Sequence, residues 1–404
     1  MSPTVSHPLL QRGVRALHGS SLLAFDAVHA TTEIVEAMHA TIAALKSPLG
    51  PGEQRTRGLT AKVYGAIRGV NQLLRHGTDY SLRRIQAATA GPLVTADPLE
   101  DAALAALNGV LGDHLARTGN PLALRMQLRR AGVPLILQRA ALAEALPQAD
   151  RRLLVQVHGL CMNDHQWRRN GHDHGERLEQ AHGATAVQLH YNSGLHVSQN
   201  GRELAGLLET LCAEWPTPPA DLVLLGHSMG GLVARSAVHY GREAGHRWCE
   251  QLSALVFLGT PHHGAPAERI GRQVHAAIEL SPYSAPIGRI AALRSAGITD
   301  LRHGNLIDAD WDDHDRFARE DRRAAHALPA GIRCYAIAAT KSPPDHPKPA
   351  GDGLVPVASA LGQHRDPARD LGFPADRQIV IHRANHWDLL HRTEVAEALC
   401  RWLA

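Results

Sequence analysis

The sequence predicts an α/β protein with a mostly parallel central sheet covered by helices, preceded by a helical N-terminal region. From about residue 150, apolar runs of four to seven residues alternate with glycine-containing turns and helical patterns, as in parallel sheets buried on both faces. Before residue 150, apolar residues recur at helical spacing with almost no strand pattern. We therefore expect a helical region over residues 1–147 and an α/β domain over residues 148–404.

Three helices are predicted in the N-terminal region, because apolar residues recur there every three or four positions. The positions that define them are Ile34, Met38, Ile42 and Leu45, then Val63, Ile67, Val70 and Leu74, then Leu104, Leu107, Leu111 and Leu115. The helix over residues 59–74 carries Arg68 and Arg75 opposite its apolar stripe, which is typical of a helix lying on a membrane surface. The alternative, favoured by the apolar faces of the neighbouring segments, is that this stripe packs in a helical bundle.

Six apolar runs predict the strands of the α/β domain. In chain order they cover residues 153–157, 184–191, 222–225, 254–259, 334–340 and 378–382. Helices are expected from Ser198, as N-cap, to about Cys212 and from Thr393 to Leu403. Polar and helical material over about 262–330 interrupts the alternation, at a point that lies over the carboxyl ends of the strands, where ligands bind. We expect a cap or lid there, with a plain surface excursion as the alternative.

Composition narrows the class of protein. The 404 residues are 44% apolar, and the net charge of +3 provides no basic field for nucleic-acid binding. The cysteines are five, scattered and without a Cys-x-x-Cys pair, which favours a reducing compartment and argues against a thiolate metal site. We expect no cofactor, no metal and no nucleic-acid partner.

No export signal or membrane span is predicted. The first 30 residues lack an apolar core followed by a small-residue cleavage site, and no run of 18 apolar residues occurs. We expect a cytoplasmic protein, with membrane association as a further hypothesis.

A serine between glycines follows the third apolar run. Residues 222–235 read LVLLGHSMGGLVAR, so a strand leads through a Gly-x-Ser-x-Gly turn into a helix. Such a turn presents a serine hydroxyl at the edge of the sheet and is typical of a nucleophile. A glycine-rich turn with an idle serine is the alternative, and we predict that Ser228 is the nucleophile.

A serine hydroxyl needs a base to take its proton and a carboxylate to orient that base. Asp352 lies in a turn between glycines after one strand, and His386 lies in the short loop between the last strand and the last helix. They follow Ser228 in the order carboxylate, then histidine. Several other residues compete for these two roles, and each is less well placed. Asp300, Asp308 and Asp310 lie in the insertion, and Asp388 follows the histidine. His382 lies within a strand, and His391 begins a helix.

Two backbone N–H groups are candidates for an oxyanion hole. One belongs to Met229, directly after the nucleophile, and the other to Leu160, after the first strand of the domain. The turn at His158 and Gly159 brings the second group inward; a simple strand-ending turn is the alternative. We expect His158, Gly159 and His227 to contact the substrate.

Taken together, these pieces resemble an α/β-hydrolase of the lipase/esterase kind. The matching motifs are VHGL at 157–160, GHSMGG at 226–231, GTPHHGAP at 259–266, GDGLVP at 351–356 and NHWDLL at 385–390. The combination is similar to bacterial triacylglycerol lipases and GPI inositol-deacylase-like hydrolases, over residues 150–404. The resemblance implies the α/β-hydrolase fold, a triad of Ser228, Asp352 and His386, and hydrolysis of carboxylic esters through an acyl-enzyme.

The sequence departs from this pattern in lacking an evident export signal or calcium site. The acidic stretch DWDDHD at 310–315 is interpreted as a solvated polar loop rather than a metal site, and the first 145 residues have no counterpart in simple lipases. We expect an acyl or lipid ester as substrate, with a peripheral membrane contact through the N-terminal helices as a further hypothesis. An acyltransferase, a thioesterase or a non-catalytic scaffold protein of this fold stays open.

Overall fold

The computed structural model describes residues 8–45, 55–56, 58–89, 98–266, 271, 295–312 and 320–404. The chain forms two compact units, one of Met1–Val94 with Arg117–Leu122 and one of Thr95–Ala116 with Ala123–Ala404. The second unit begins upstream of the boundary predicted between residues 147 and 148. About half of the predicted cap lies outside the described residues, so the cap stays a prediction.

The first unit contains two long helices, α1 (Pro8–Leu45) and α2 (Gly58–Ala88). Ion pairs join them, between Arg68 and Glu36 and between Arg75 and Asp26. The arginines that the sequence placed on a free basic face are therefore neutralised within the helix pair.

The predicted apolar stripe of α2 is exposed. Val63 is 51% exposed, Ile67 42%, Val70 58% and Leu74 56%. The favoured interpretation, a stripe packed in a bundle, is therefore not what the described residues show. The reason is that α2 buries another side of the helix, where Tyr64, Asn71 and Leu82 lie. None of the helices in the described ranges is both long enough and apolar enough for a bilayer crossing.

The second unit is built on one eight-stranded sheet, in the order β2-β1-β4-β3-β5-β6-β7-β8. Its strands are β1 (Gln127–Arg130), β2 (Val133–Pro134), β3 (Arg152–Val157), β4 (Ala184–His190), β5 (Asp221–His227), β6 (Leu252–Leu258), β7 (Arg333–Thr340) and β8 (Gln378–His382). Strand β1 pairs antiparallel with β2 and β4, and all other pairs are parallel. The predicted α/β fold with a mostly parallel sheet is confirmed.

Helices connect and cover these strands. They are α3 (Pro98–Arg117), α4 (Arg139–Ala145), α5 (His174–His182), α6 (Val197–Glu214), α7 (Met229–Glu243), α8 (Trp248–Gln251), α9 (Ala296–Asp300), α10 (Val357–Ala360) and α11 (Thr393–Trp402). The predicted N-cap Ser198 lies inside α6, and His196 caps the helix instead. The six predicted strands are β3 to β8. The side chains of β3 to β7 are mostly buried because helices cover both faces, whereas in the edge strand β8 only Ile381 is buried.

The strand order reverses around β3, since β4 lies on one side of it and β5 on the other. In open α/β sheets, the crevice at the carboxyl ends of the strands beside such a reversal is where ligands bind. The turn after β3 contains His158 and Gly159, and the turn after β5 contains Ser228. The fold therefore brings the first two predicted site segments to the same crevice.

Candidate active site

The turn between β5 and α7 holds Ser228 in a strained conformation. Its φ is 54° and its ψ is −126°, a left-handed φ that non-glycine residues rarely adopt. Neighbouring glycines make this possible: a Cβ on Gly226 would lie 2.5 Å from Gly231 Cα, and one on Gly230 would lie 2.0 Å from the carbonyl oxygen of Val157. The backbone N–H of Ser228 donates to the Leu258 carbonyl at 2.8 Å. This is the geometry of a turn that exposes a nucleophile at the sheet edge.

Asp352 and His386 form a buried hydrogen-bonded pair. The distance between His386 Nδ1 and Asp352 Oδ2 is 2.6 Å, and both side chains are at most 2% exposed. The other carboxylate oxygen accepts the backbone N–H groups of Leu354 and Val355, each at 2.8 Å. An ionised carboxylate accepts all three bonds, so the imidazole carries its proton on Nδ1 and leaves Nε2 as a base.

Ser228 and His386 both lie close to the segment at Gly259. The residue before Gly259 accepts the backbone N–H of Ser228, and a Cβ on Gly259 would lie 3.1 Å from His386 Cε1. The Nε2 atom of His386 is buried and has no hydrogen-bond partner among the described residues, so it is not bonded to the Ser228 hydroxyl in this conformation. Catalytic hydrogen bonds are often long without substrate and tighten in the complex.

His227 contacts the loop of His386. Its Nε2 lies 3.2 Å from the carbonyl oxygen of His386, and the ring centroids are 4.7 Å apart. Burial lowers the pKa of His227 well below its usual value, so the neutral ring donates this bond from Nε2. The side chain is fully buried, and its contact with a substrate stays a prediction.

The turn after β3 packs directly on the nucleophile. A Cβ on Gly159 would lie 2.9 Å from Ser228 Cβ, so this close approach requires glycine. His158 is fully buried and stacks on Tyr191 with ring centroids 4.4 Å apart. Burial lowers the pKa of His158 to about 3, so its ring is neutral and part of the core.

The two predicted oxyanion donors lie beside this turn. Met229 is the first residue of α7, and the first N–H groups of a helix have no acceptor within it. Leu160 precedes Cys161, which has a φ of 60° and donates its N–H to Ser193 Oγ at 3.0 Å. The direction of the Met229 and Leu160 N–H groups toward a substrate stays a prediction.

A buried charge cluster lies behind this turn, and the sequence did not indicate it. Arg129 Nη1 contacts Asp101 Oδ2 at 2.7 Å and Asp164 Oδ1 at 3.1 Å, and His190 Nδ1 lies 3.0 Å from the same Asp164 oxygen. Burial would raise the pKa of Asp164, but the His190 hydrogen bond and the Arg129 charge lower it to about 2. The cluster anchors the segment that follows β3.

One group of side chains in the described part of the chain has ligand atoms close enough together to hold a metal ion. Oxygen and nitrogen atoms of Asp101, Asp164 and His165 lie within 4.8 Å of one another. The guanidinium of Arg129 already bonds to both carboxylates, so the positive charge they require is present without a metal.

The competing carboxylates have structural partners. Asp300 accepts the Val197 N–H at 2.8 Å, and one oxygen of Asp388 accepts the Asn385 N–H at 2.8 Å. Asp310 is 7% exposed and accepts the N–H groups of residues 306 and 307. The prediction that Asp310 lies in a solvated loop is therefore wrong, because its carboxylate accepts hydrogen bonds within a buried turn. Residues 313–315 of that loop lie outside the described part of the chain.

Comparison with known proteins adds a family match to this geometry. Residues 150–336, slightly less than half of the chain, match the family described as PGAP1-like alpha/beta domain. None of the curated proteins matches the sequence.

Solved structures with similar folds include lipases and an esterase. The mature Bacillus licheniformis lipase BlEst2 is 17% identical with a TM-score of 0.40, covering 63% of this chain and 92% of that one. Aspergillus fumigatus lipase B is 10% identical with a TM-score of 0.39, over 96% and 83%. Pyrococcus furiosus esterase Pf2001 is 13% identical with a TM-score of 0.35, over 64% and 83%. At these values the likeness carries no argument about substrate or activity.

Proposed function

We propose that this chain is a lipase/esterase-like α/β-hydrolase that cleaves carboxylic esters through an acyl-enzyme. Ser228 is the nucleophile, His386 the general base and acid, and Asp352 the carboxylate that orients the imidazole. The observation that carries the proposal is the buried 2.6 Å contact between His386 and Asp352, adjacent to the strained turn that presents Ser228. Such a buried carboxylate–imidazole pair beside a serine is the arrangement that activates a hydroxyl.

In the first half of the reaction, Ser228 Oγ attacks the acyl carbon while His386 Nε2 takes the hydroxyl proton. Asp352 stabilises the imidazolium that forms. The negative charge on the carbonyl oxygen is stabilised by the N–H groups of Leu160 and Met229, each worth about 3 kcal/mol of the barrier. The imidazolium then protonates the departing alcohol oxygen, and the acyl group stays on Ser228.

In the second half, a water molecule takes the place of the alcohol. His386 removes a proton from that water as its oxygen attacks the acyl carbon, and then returns the proton to Ser228 Oγ as the acid leaves. An acyltransferase would use another alcohol in place of water at this step, and a thioesterase would release a thiol instead of an alcohol in the first half. Product analysis with added alcohol and with thioester substrates distinguishes these activities.

A fluorophosphonate probe tests the nucleophile, because it reacts with activated serines. We expect labelling of the wild-type chain and of Ser20→Ala, a matched change at an exposed serine, and no labelling of Ser228→Ala. Undiminished labelling of Ser228→Ala would assign the reactivity to another residue.

The substrate that this proposal favours is a lipid ester, presented at a membrane surface. The supporting observation is the exposed apolar stripe of α2, at Val63, Ile67, Val70 and Leu74. Lys62 next to this stripe is exposed, and so is Arg84 further along the helix, and cations of this kind favour anionic lipid. A cytoplasmic location is also part of the proposal, supported by five cysteines that are all free thiols.

A further inference from the structure

A cavity of about 280 Å³ lies beside α7. One face of the helix lines it with Arg235, Val238, His239 and Arg242, and residues 306–307, 325–327 and 329 complete the wall. Pockets for drug-sized ligands measure roughly 300–1,000 Å³, so this cavity has room for a small group. It is separate from the acyl site, since Arg235 is seven residues after Ser228, about 10 Å along the helix.

Arg235 is a buried cation that has no counter-ion among the residues the structure describes. It is 7% exposed, its Nη1 lies 3.2 Å from His262 Nδ1, and its Nη2 donates to the His326 carbonyl at 2.5 Å. No carboxylate among the described residues lies within ion-pair distance of it. Burial lowers the pKa of Arg235 to about 10, so the guanidinium stays charged at neutral pH. A buried charge is unfavourable unless an opposite charge accompanies it.

Arg242 adds a second guanidinium at the other end of the same helix face. Its Nη2 donates to the Ala330 carbonyl at 2.8 Å, and in the described ranges it also has no carboxylate partner. The imidazole of His326 is already engaged, because its Nε2 lies 3.1 Å from Asp310 Oδ1. The other Asp310 oxygen accepts the backbone N–H groups of residues 306 and 307. Both oxygens of this carboxylate therefore already have hydrogen-bond partners around the cavity.

The remaining wall is apolar. Val238, Leu306 and Ile307 line the cavity together with two alanines and a proline. A ligand that suits this wall has an anionic end and a short apolar end. Guanidinium groups favour phosphate and carboxylate, because their planar N–H donors match the geometry of the oxygens.

We propose that this cavity binds an oxyanion, a phosphate or carboxylate carried on a short apolar group. The anion neutralises Arg235 and Arg242, and the apolar group contacts Val238, Leu306 and Ile307. This is a second site, beyond the proposed ester hydrolysis.

Titration calorimetry on the full chain tests the proposal, with inorganic phosphate, monobutyl phosphate and hexanoate at constant ionic strength. We expect saturable binding, tightened at least tenfold by the butyl group relative to inorganic phosphate. Arg242→Gln and His239→Gln, at exposed positions, should keep the fold, and Arg242→Gln should weaken binding at least tenfold. Arg247→Gln is the matched control, since its side chain is 79% exposed and lies outside the cavity.

Saturation by phosphate without gain from the butyl group would still support the oxyanion site and identify the free anion as ligand. Tighter binding of hexanoate than of either phosphate would support it and identify a carboxylate. Absence of saturable binding by all three probes would overturn the proposal, as would equal affinities of Arg242→Gln and Arg247→Gln. The same titrations on Ser228→Ala do not depend on ester hydrolysis, so failure of the proposed function leaves this result intact.

Discussion

At the scale of single residues, the chemistry depends on which nitrogen of His386 carries the proton. Asp352 accepts a hydrogen bond from Nδ1, which leaves Nε2 unprotonated and able to accept the serine proton. An asparagine at position 352 can donate from its amide to Nδ1 and so favours the wrong tautomer.

We therefore expect Asp352→Asn to lower kcat by roughly 10⁴-fold with little change in the melting temperature. Steady-state kinetics on p-nitrophenyl esters measure the effect. Asp345→Asn, at an exposed position, is the matched control and should retain wild-type kcat. A kcat for Asp352→Asn within tenfold of wild type would remove Asp352 from the triad.

His227 is a positioning residue in this proposal, because its Nε2–H holds the backbone of the His386 loop. His227→Leu removes the donor, and displacement of the catalytic imidazole should lower kcat by about 10- to 100-fold while KM changes little. His227→Gln keeps a donor and should recover part of the loss. If His227→Leu raises KM at unchanged kcat, the side chain serves substrate binding, as the sequence first suggested.

At the scale of elements, the Arg129 cluster connects β1, α3 and the segment after β3. The pKa of Asp164 is lowered from 3.8 to about 2, so its ionised form stabilises the fold above about pH 4 and this stabilisation is lost as pH falls through 2. The size of the shift corresponds to about 2 kcal/mol.

Asp164→Asn should therefore reduce the free energy of unfolding by about 2 kcal/mol at pH 7, with a smaller difference below pH 4. Urea denaturation at several pH values measures it. Asp376→Asn, at an exposed position, should differ from wild type by less than about 0.5 kcal/mol. A pH-independent deficit for Asp164→Asn would mean that lost packing, not lost charge, is the cause.

Elements were predicted best where burial imposes an apolar run. Strands β3 to β8 pair in parallel, and their sequences are mostly apolar runs. Their predicted bounds therefore fall within two residues of the observed bounds. Strand β1 reads QLRR and β2 is only two residues long. Short, charged strands near a sheet edge avoid pairing with other chains, and the same property hides them from a search for apolar runs.

At the scale of the whole molecule, helices α1 and α2 expose a group of apolar side chains of a kind that the surfaces of monomeric soluble proteins rarely expose together. If this stripe contacts lipid, the intact chain should float with vesicles of phosphatidylcholine and phosphatidylglycerol. Val70→Asp should reduce the bound fraction roughly tenfold, because burial of such a side chain contributes about 1.5 kcal/mol.

Gln72→Asp places the same charge at an exposed polar position of α2 and should bind vesicles nearly as well as the wild-type chain. Equal losses in both variants would indicate simple electrostatic repulsion. A wild-type chain that does not float would exclude the lipid contact, and size-exclusion chromatography would then show whether a second copy covers the stripe.

The sequence by itself determined the α/β class and six of the eight strands, and it predicted a triad, because each of these depends on local patterns. A buried strand requires an apolar run, and a strained serine turn requires glycines beside it.

Only the tertiary structure decided what His227, Asp164 and Arg235 contact. Their partners are separated from them by 159, 35 and 91 positions along the chain. Such contacts arise because helices and loops from distant segments of the chain meet in the fold. A buried polar group takes whichever partner the fold brings within reach, and no local pattern specifies that partner.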